Sequence, residues 1–165
     1  CSSDLLHKTK TSIIHCPTSN APISERGLGS GLFNFKKTEK EKVNWALGSD
    51  IGGGPFLSMF DVMRSFVEQN AKSKIKGATY VKALYRSTLA GAKVLGLAKK
   101  TGNLDKGKVA NFIVVPFKGV VPSSAEEVLN QLIHPHKLKR QNYDALPELV
   151  SYQGKLLFKG QVRPK

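Results

Sequence analysis

Acidic residues and cysteines are both scarce in this chain of 165 residues. It carries 12 aspartates and glutamates against 26 lysines and arginines, which gives a formal net charge of +14. Two cysteines are too few for a disulfide-stapled secreted scaffold, so we expect a reducing, cytoplasmic setting. No apolar run is long enough to cross a bilayer, so no membrane partner is expected.

The excess of positive charge raises the question of nucleic-acid binding. A basic nucleic-acid-binding module without catalysis is one hypothesis that fits such a charge. The lysines, however, are spread along the whole chain, and aromatic residues are not interleaved with them as in a base-stacking platform. A lysine-rich protein surface is the preferred interpretation, and nucleic acid is not expected as a partner.

The most informative stretch is VNWALGSDIGGGPFLSMF, at positions 43–60. A short apolar strand leads to one acid, Asp50, and a glycine-rich turn then leads to apolar residues at helical spacing. In α/β proteins, chemistry is concentrated where strands end and loops begin. Asp50 is therefore a candidate metal ligand, and the alternative is an aspartate that only forms a turn or caps a helix.

A second predicted strand ends at His15, within TSIIHCPTSN at positions 11–20. The segment between His15 and Asp50 contains a glycine-rich loop and a charged helical stretch, which fits one βαβ crossover. This order predicts a parallel sheet or barrel. Residues 11–15 and 43–48 should be adjacent parallel strands, with His15 and Asp50 at their carboxyl ends on the same face.

The rest of the chain has the pattern of a scaffold. Helical patterns are predicted at 56–70, with an Arg64–Glu68 pair, and after Thr79, Thr88 and Ser123 or Ser124. Residues 111–115 should form a strand in a separate sheet with a hairpin at 149–158.

Several blocks then carry a family resemblance in their order and spacing. They read HCPTSN, SGLF, WALGSDIGGGPFLSMFDVMR, STLAGAKVLGL and TGNLDKGKVANFIVV. Together they resemble the C-terminal half of the amidohydrolase superfamily, and they are most similar to its guanine-deaminating branch. The resemblance implies an α/β fold: the C-terminal part of a metal-dependent (β/α)8 TIM barrel plus part of a small β-sandwich domain.

The resemblance also implies a division of the chain and a missing part. Residues 1–100 would hold the last strands and helices of an incomplete barrel, and residues 101–165 the C-terminal part of the β-sandwich. In such enzymes a His-x-His pair, a further histidine and an aspartate hold the metal, and Asp50 matches the aspartate. The only His-x-His spelling, His134-Pro135-His136, lies late, so its histidines are expected at the surface. The missing N-terminal half of the same enzyme is an expected partner, as is a second copy in a homodimer.

The activity implied by the resemblance is hydrolytic deamination of guanine to xanthine and ammonia, with Zn²⁺ as the metal and Fe²⁺ as the alternative. Asp50 would hold the metal and take the proton of the attacking water, because the two oxygens of a carboxylate can act separately. His15 is assigned a structural role, and the residues that bind the purine stay unassigned. The chain alone is expected to be inactive. The alternatives are a related amidohydrolase for another nucleobase or heterocycle, and a catalytically inactive fragment.

Two departures from the family pattern bear on these expectations. Asn111 stands where the resemblance implies an aspartate, which we interpret as structural. The loop at 21–31 is longer than the resemblance implies and is expected on the substrate face, where it would alter specificity.

Overall fold

The computed structural model describes residues 2–133, 143 and 146–159. In chain order, these residues form α1 (Ser2–Lys8), β1 (Ile13–His15), α2 (Pro17–Asn20), a 3₁₀ turn (Ile23–Glu25), α3 (Phe35–Lys40), β2 (Trp45–Leu47), α4 (Met59–Lys72), α5 (Tyr80–Ser87), α6 (Leu89–Val94), β3 (Phe112–Val114), α7 (Ala125–Ile133), β4 (Leu149–Tyr152) and β5 (Lys155–Lys159). Within this part of the chain, no helix is both long and apolar enough to cross a membrane. The predicted surface histidines His134 and His136 lie outside the described residues.

Strands β1 and β2 form a parallel pair, as the sequence predicts. Ile13 lies opposite Trp45 and His15 opposite Leu47, and the Gly48 amide donates to the His15 carbonyl at 3.0 Å. Helix α3 lies between the two strands in sequence, so the unit is a βαβ crossover. Both strands therefore end at the same edge of the sheet, where the loops that follow them meet.

A second sheet is built from β3, β4 and β5 in antiparallel order. Its pairing confirms that the strand at 111–115 and the hairpin at 149–158 share a sheet. Asn111, just before β3, helps to set the register between β3 and the hairpin. Its Oδ1 accepts a hydrogen bond at 2.7 Å from the amide of Gln153 in the hairpin turn. Its role in the described residues is thus structural, in line with the interpretation of this position from sequence.

The predicted start of the helix after the glycine turn is wrong. Helix α4 begins at Met59, because Ser58 has extended backbone and its Oγ accepts a hydrogen bond from the Phe60 amide at 3.2 Å. Leu57, which the sequence pattern places on the buried helical face, precedes the helix and is 65 % exposed. Arg64 pairs at 2.9 Å with Asp61, one turn before it in the helix, whereas the sequence predicts Glu68, one turn after it.

The hydrophobic core lies between β2 and the helices that pack against it. Phe66 of α4 is fully buried, with its ring centroid 5.4 Å from that of Phe35 and 5.7 Å from that of Trp45. Ile133, at the end of α7, is buried in the same cluster. The core thus fixes α3, α4 and α7 around β2, and β2 leads directly to Asp50.

An ion-pair cluster also anchors β2 to two helices. Glu39 of α3 accepts hydrogen bonds from Lys82 and Arg86 of α5, each at 2.8 Å. Burial acts to raise the pKa of Glu39, but these hydrogen bonds and positive charges outweigh it and lower the pKa below its ordinary value. Arg86 also donates to the Trp45 carbonyl at 3.0 Å and stacks 4.1 Å from the Trp45 ring. Strand β2 therefore has a fixed position relative to α3 and α5.

Helix α5 is capped by a carboxylate from a distant part of the chain. The two oxygens of Glu126 accept hydrogen bonds from the Tyr80 and Val81 amides, both at 2.8 Å. The Thr79 hydroxyl accepts another from the Lys82 amide at 3.1 Å. The first amides of a helix have no intrahelical acceptor, and Glu126 and Thr79 supply acceptors here. Because Glu126 lies on α7, its contacts also join α7 to α5.

Replacing Glu126 tests this cap. We expect Glu126→Ala to lower the free energy of unfolding by about 1–2 kcal/mol, since two amides lose their acceptor. Glu127→Ala is the matched control, because Glu127 is exposed on the next position of the same helix. Urea unfolding of both variants checks the prediction, and equal losses from the two changes would contradict it.

Candidate functional site

Asp50 lies in the turn that follows β2, and its backbone is left-handed, with φ of 51°. Aspartate adopts this region more readily than most residues. Its carbonyl accepts hydrogen bonds from the amides of Gly53 at 2.9 Å and Gly54 at 2.6 Å. The side chain of Asp50 is exposed. The turn therefore presents a carboxylate at the edge where the parallel strands end.

Ser19 connects this turn to the loop after β1. Its Oγ donates a hydrogen bond to Oδ2 of Asp50 at 2.7 Å, and Ser19 is only 1 % exposed. The two strand ends that the sequence predicts to meet are thus joined by a direct side-chain contact. Sequence reasoning missed Ser19, although its place in HCPTSN, just after the end of β1, was the available signal.

The glycines at positions 53 and 54 are explained by close approach. A Cβ at Gly53 would lie 2.8 Å from Oδ2 of Asp50, and one at Gly54 would lie 2.5 Å from the Ser49 carbonyl oxygen. A Cβ at Gly54 would force the turn backbone to move, and one at Gly53 would displace the Asp50 carboxylate. These glycines therefore allow the backbone to fold around the Asp50 carboxylate.

His15 occupies a different environment from Asp50. It is buried, with its ring centroid 4.7 Å from that of Phe33 and 6.2 Å from that of Phe66. Burial lowers the pKa of His15 to about 4, so the ring is neutral near pH 7. The two strands end together, but the His15 side chain enters an aromatic cluster while Asp50 stays exposed. These contacts agree with a structural role for His15.

His15 should make stability sensitive to acid. The unfolded chain takes up a proton on this histidine below its ordinary pKa of 6.5, whereas the folded chain does so only near 4. Stability is therefore lost as pH falls through this window, by about 3 kcal/mol from this group. Urea unfolding at pH 7.5 and pH 4 should show a smaller loss for His15→Phe than for the wild type. His7→Phe, at an exposed position of α1, is the control, and an unchanged pH dependence in His15→Phe would refute the prediction.

Cys16 is partly buried and its thiol is free. Burial raises the pKa of Cys16, and the negative charge of Asp50 raises it further. A thiol binds metal as the thiolate, so this environment is unfavourable for a cysteine ligand. Cys16 is better explained as a packing residue.

The donor set of this chain supplies only part of what a zinc ion needs. Across the residues with a described position, no three His, Cys, Asp or Glu side chains are close enough to hold a metal together. Zinc sites use about four ligands, of which catalytic sites take three from the protein. Asp50, exposed and held through only one described hydrogen bond, fits a single ligand position of such a site.

Known proteins resemble this chain in sequence. A model of the amidohydrolase family matches residues 2–142. Guanine deaminase of Escherichia coli K12 is 41 % identical over 112 residues, which cover 68 % of this chain and 24 % of that enzyme. Human guanine deaminase is 32 % identical over 117 residues, covering 68 % of this chain and 25 % of that enzyme. The chain thus spans about a quarter of the length of these curated relatives.

Solved structures of deaminases also resemble this chain in fold. Guanine deaminase of E. coli superposes with a TM-score of 0.79 at 31 % identity, covering 96 % of this chain and 36 % of that chain. Guanine deaminase of C. acetobutylicum with bound guanine gives 0.73 at 25 % identity, covering 94 % and 36 %. An adenosine deaminase of Xanthomonas campestris with bound zinc gives 0.73 at 25 % identity, covering 97 % and 35 %. Because the family model matches most of the residues and the fold agrees, the chain belongs to the amidohydrolase family.

Proposed function

We propose that this chain is the C-terminal part of a metal-dependent aminohydrolase that converts guanine to xanthine and ammonia. The similarity to guanine deaminases from bacteria and mammals, in sequence and fold, is the observation that carries the proposal. The site geometry supports it, because Asp50 presents a carboxylate at the edge where the two parallel strands end. The complete enzyme would consist of this chain together with the remaining part of the fold.

The finer architecture follows from the two sheets. We assign residues 1–100 to the last strands and helices of a (β/α)8 barrel and residues 101–165 to part of a β-sandwich. In the described ranges, β1 and β2 pair with each other and with no further strand. A two-stranded parallel sheet of this kind leaves outer edges that the remaining barrel strands would cover.

We assign Asp50 as the one metal ligand that this chain contributes, with zinc as the metal and Fe²⁺ as the alternative. When bound, the metal would lower the pKa of a water molecule toward neutrality. Oδ2 of Asp50 is engaged by the Ser19 hydroxyl, so Oδ1 is the oxygen placed to accept a proton from the attacking water. The other ligands, and the group that protonates the purine, would come from the rest of the enzyme.

The loop at 21–31 is the proposed specificity element. Its base is fixed by hydrogen bonds from the Leu28 amide to the Ser19 carbonyl at 2.7 Å and from the Gly29 amide to the Ala21 carbonyl at 2.9 Å. Ile23 and Leu28 on this loop are largely exposed. Apolar side chains on a loop tied to Ser19 suit contact with a flat heterocyclic base.

We also propose a cytoplasmic location and assembly as a homodimer. The free thiol of Cys16 is compatible with a reducing compartment. Apolar residues of the second sheet, including Ile113 and Leu157, are exposed and offer surface for the rest of the enzyme or a second copy.

Ammonia release by the complete enzyme tests the proposed function. We expect kcat/KM for guanine to exceed that for cytosine and 5-methylthioadenosine by at least about 100-fold, because a site that hydrogen-bonds one base rejects analogues that leave its polar groups unpaired. The 165-residue chain alone should be inactive, since it supplies one ligand. A preference for 5-methylthioadenosine would favour a nucleoside deaminase. This chain is 27 % identical over 135 residues to a 5-methylthioadenosine/S-adenosylhomocysteine deaminase of Saccharophagus degradans. No deamination by a metal-loaded enzyme would favour an inactive fragment.

A further inference from the structure

We infer that Ser19 is a positioning residue that holds the Asp50 carboxylate in one orientation. Its hydroxyl donates to Oδ2 at 2.7 Å, which fixes one oxygen toward the metal position and keeps Oδ1 available to accept the proton of the attacking water. The inference rests on the proposed function, because it assigns a role to Ser19 in the same site. It concerns a residue that does not itself touch the substrate.

Ser19 is held from several sides, so its hydroxyl has a defined direction. It is buried on α2, and its carbonyl accepts a hydrogen bond from the Leu28 amide at 2.7 Å. Two residues earlier, the Pro17 carbonyl accepts a hydrogen bond from Nε2 of Gln69 at 2.8 Å, and Gln69 lies on α4. A helix that packs on the core thus fixes α2, and α2 fixes the hydroxyl that contacts Asp50.

The Asp50 backbone is held independently. Its left-handed conformation is closed by the amides of Gly53 and Gly54, both donating to the Asp50 carbonyl. These contacts fix the backbone but leave the exposed side chain free to rotate about χ1 and χ2. The Ser19 hydrogen bond is the described contact that selects one orientation of the carboxylate.

A carboxylate with two roles needs this kind of restraint. If it turned freely, either oxygen would face the metal, and the proton acceptor would be misplaced in part of the molecules. Catalysis depends on sub-ångström placement, and loss of a residue that orients a ligand commonly costs about 10–100-fold in activity or metal affinity. Ser19 supplies that restraint from a buried position, which keeps water from competing for its hydroxyl.

Two substitutions of Ser19 in the complete, zinc-loaded enzyme test the inference. We expect Ser19→Ala to lower kcat for guanine by about 10–100-fold, to change KM by less than about threefold, and to speed zinc removal by a chelator about tenfold. Ser19→Cys introduces a side chain of similar volume, but its thiol is a weak hydrogen-bond donor. Its melting temperature should therefore match that of the wild type, while its kcat should stay as low as that of Ser19→Ala. Ser123→Ala, at an exposed serine just before α7, should leave kcat, KM and zinc release unchanged.

The other outcomes bear on the role of Ser19, on the proposed function, or on both. Recovery of kcat in Ser19→Cys would show that Ser19 only fills space, and unchanged kcat and zinc release in Ser19→Ala would also overturn the inference. A wild-type enzyme that holds zinc without deaminating guanine would refute the proposed substrate, while the rate of zinc release would still decide the role of Ser19. A wild-type enzyme that binds no divalent metal would refute both.

Discussion

Asp50→Asn in the complete enzyme should lower guanine deamination by at least about 1,000-fold, with the melting temperature almost unchanged. The two side chains have the same shape, and asparagine also tolerates the left-handed backbone that Asp50 adopts. Its amide oxygen can still accept the hydrogen bond from Ser19. What is lost is the negative charge, and with it the metal ligand and the proton acceptor.

Ammonia release and thermal melting of the same preparation check this prediction. Asp105→Asn is the matched control, because it makes the same change at a surface aspartate that is distant in sequence from Asp50. Asp105 contacts Asn103 and Lys108. That variant should keep full activity. An active Asp50→Asn enzyme would show that Asp50 is not a catalytic metal ligand. A variant that fails to fold would instead show that Asp50 is a structural residue of the turn.

Phe66→Ala should be strongly destabilising, with a loss of about 4 kcal/mol in the free energy of unfolding. Phe66 is fully buried between the rings of Phe35 and Trp45, with the His15 ring 6.2 Å away. Removing the ring leaves a cavity that these aromatic neighbours cannot fill without leaving their own positions. Because Phe66 packs against β2, the loss should also loosen the turn that carries Asp50.

Urea unfolding measures this effect. Phe66→Leu keeps most of the buried volume and should cost clearly less, about 1–2 kcal/mol. Phe158→Ala is the surface control, since Phe158 lies half exposed on β5, and it should cost under about 1 kcal/mol. Similar losses in Phe66→Ala and Phe158→Ala would contradict the placement of the core.

Local patterns were sufficient to predict much of the fold. The apolar segments ending at His15 and before Gly48 are strands because each is bounded by loop-forming residues, and the helical stretch between them supplies the crossover that a parallel pair needs. The hairpin in the C-terminal sheet was also predictable, because Gln153-Gly154 separates two segments with strand character. In both cases the signal lies within a few residues of the structure it determines.

Features set by distant contacts were not predictable in the same way. The direction of the His15 side chain depends on Phe33 and Phe66, which other elements supply. The contact between Ser19 and Asp50 depends on how two loops meet after the strands have paired. The later start of α4 reflects an extended segment after the glycine turn, and apolar periodicity alone counts Leu57 into the helix.

The left-handed turn at Asp50 has an evolutionary consequence. A φ of 51° favours asparagine among the replacements for aspartate, and asparagine is a single base change from aspartate in the genetic code. A lineage could therefore lose the metal ligand in one mutational step without losing the fold. Gene duplicates of this protein should drift most readily toward inactive, well-folded paralogues through this codon, and an asparagine at position 50 would be the signature of that drift.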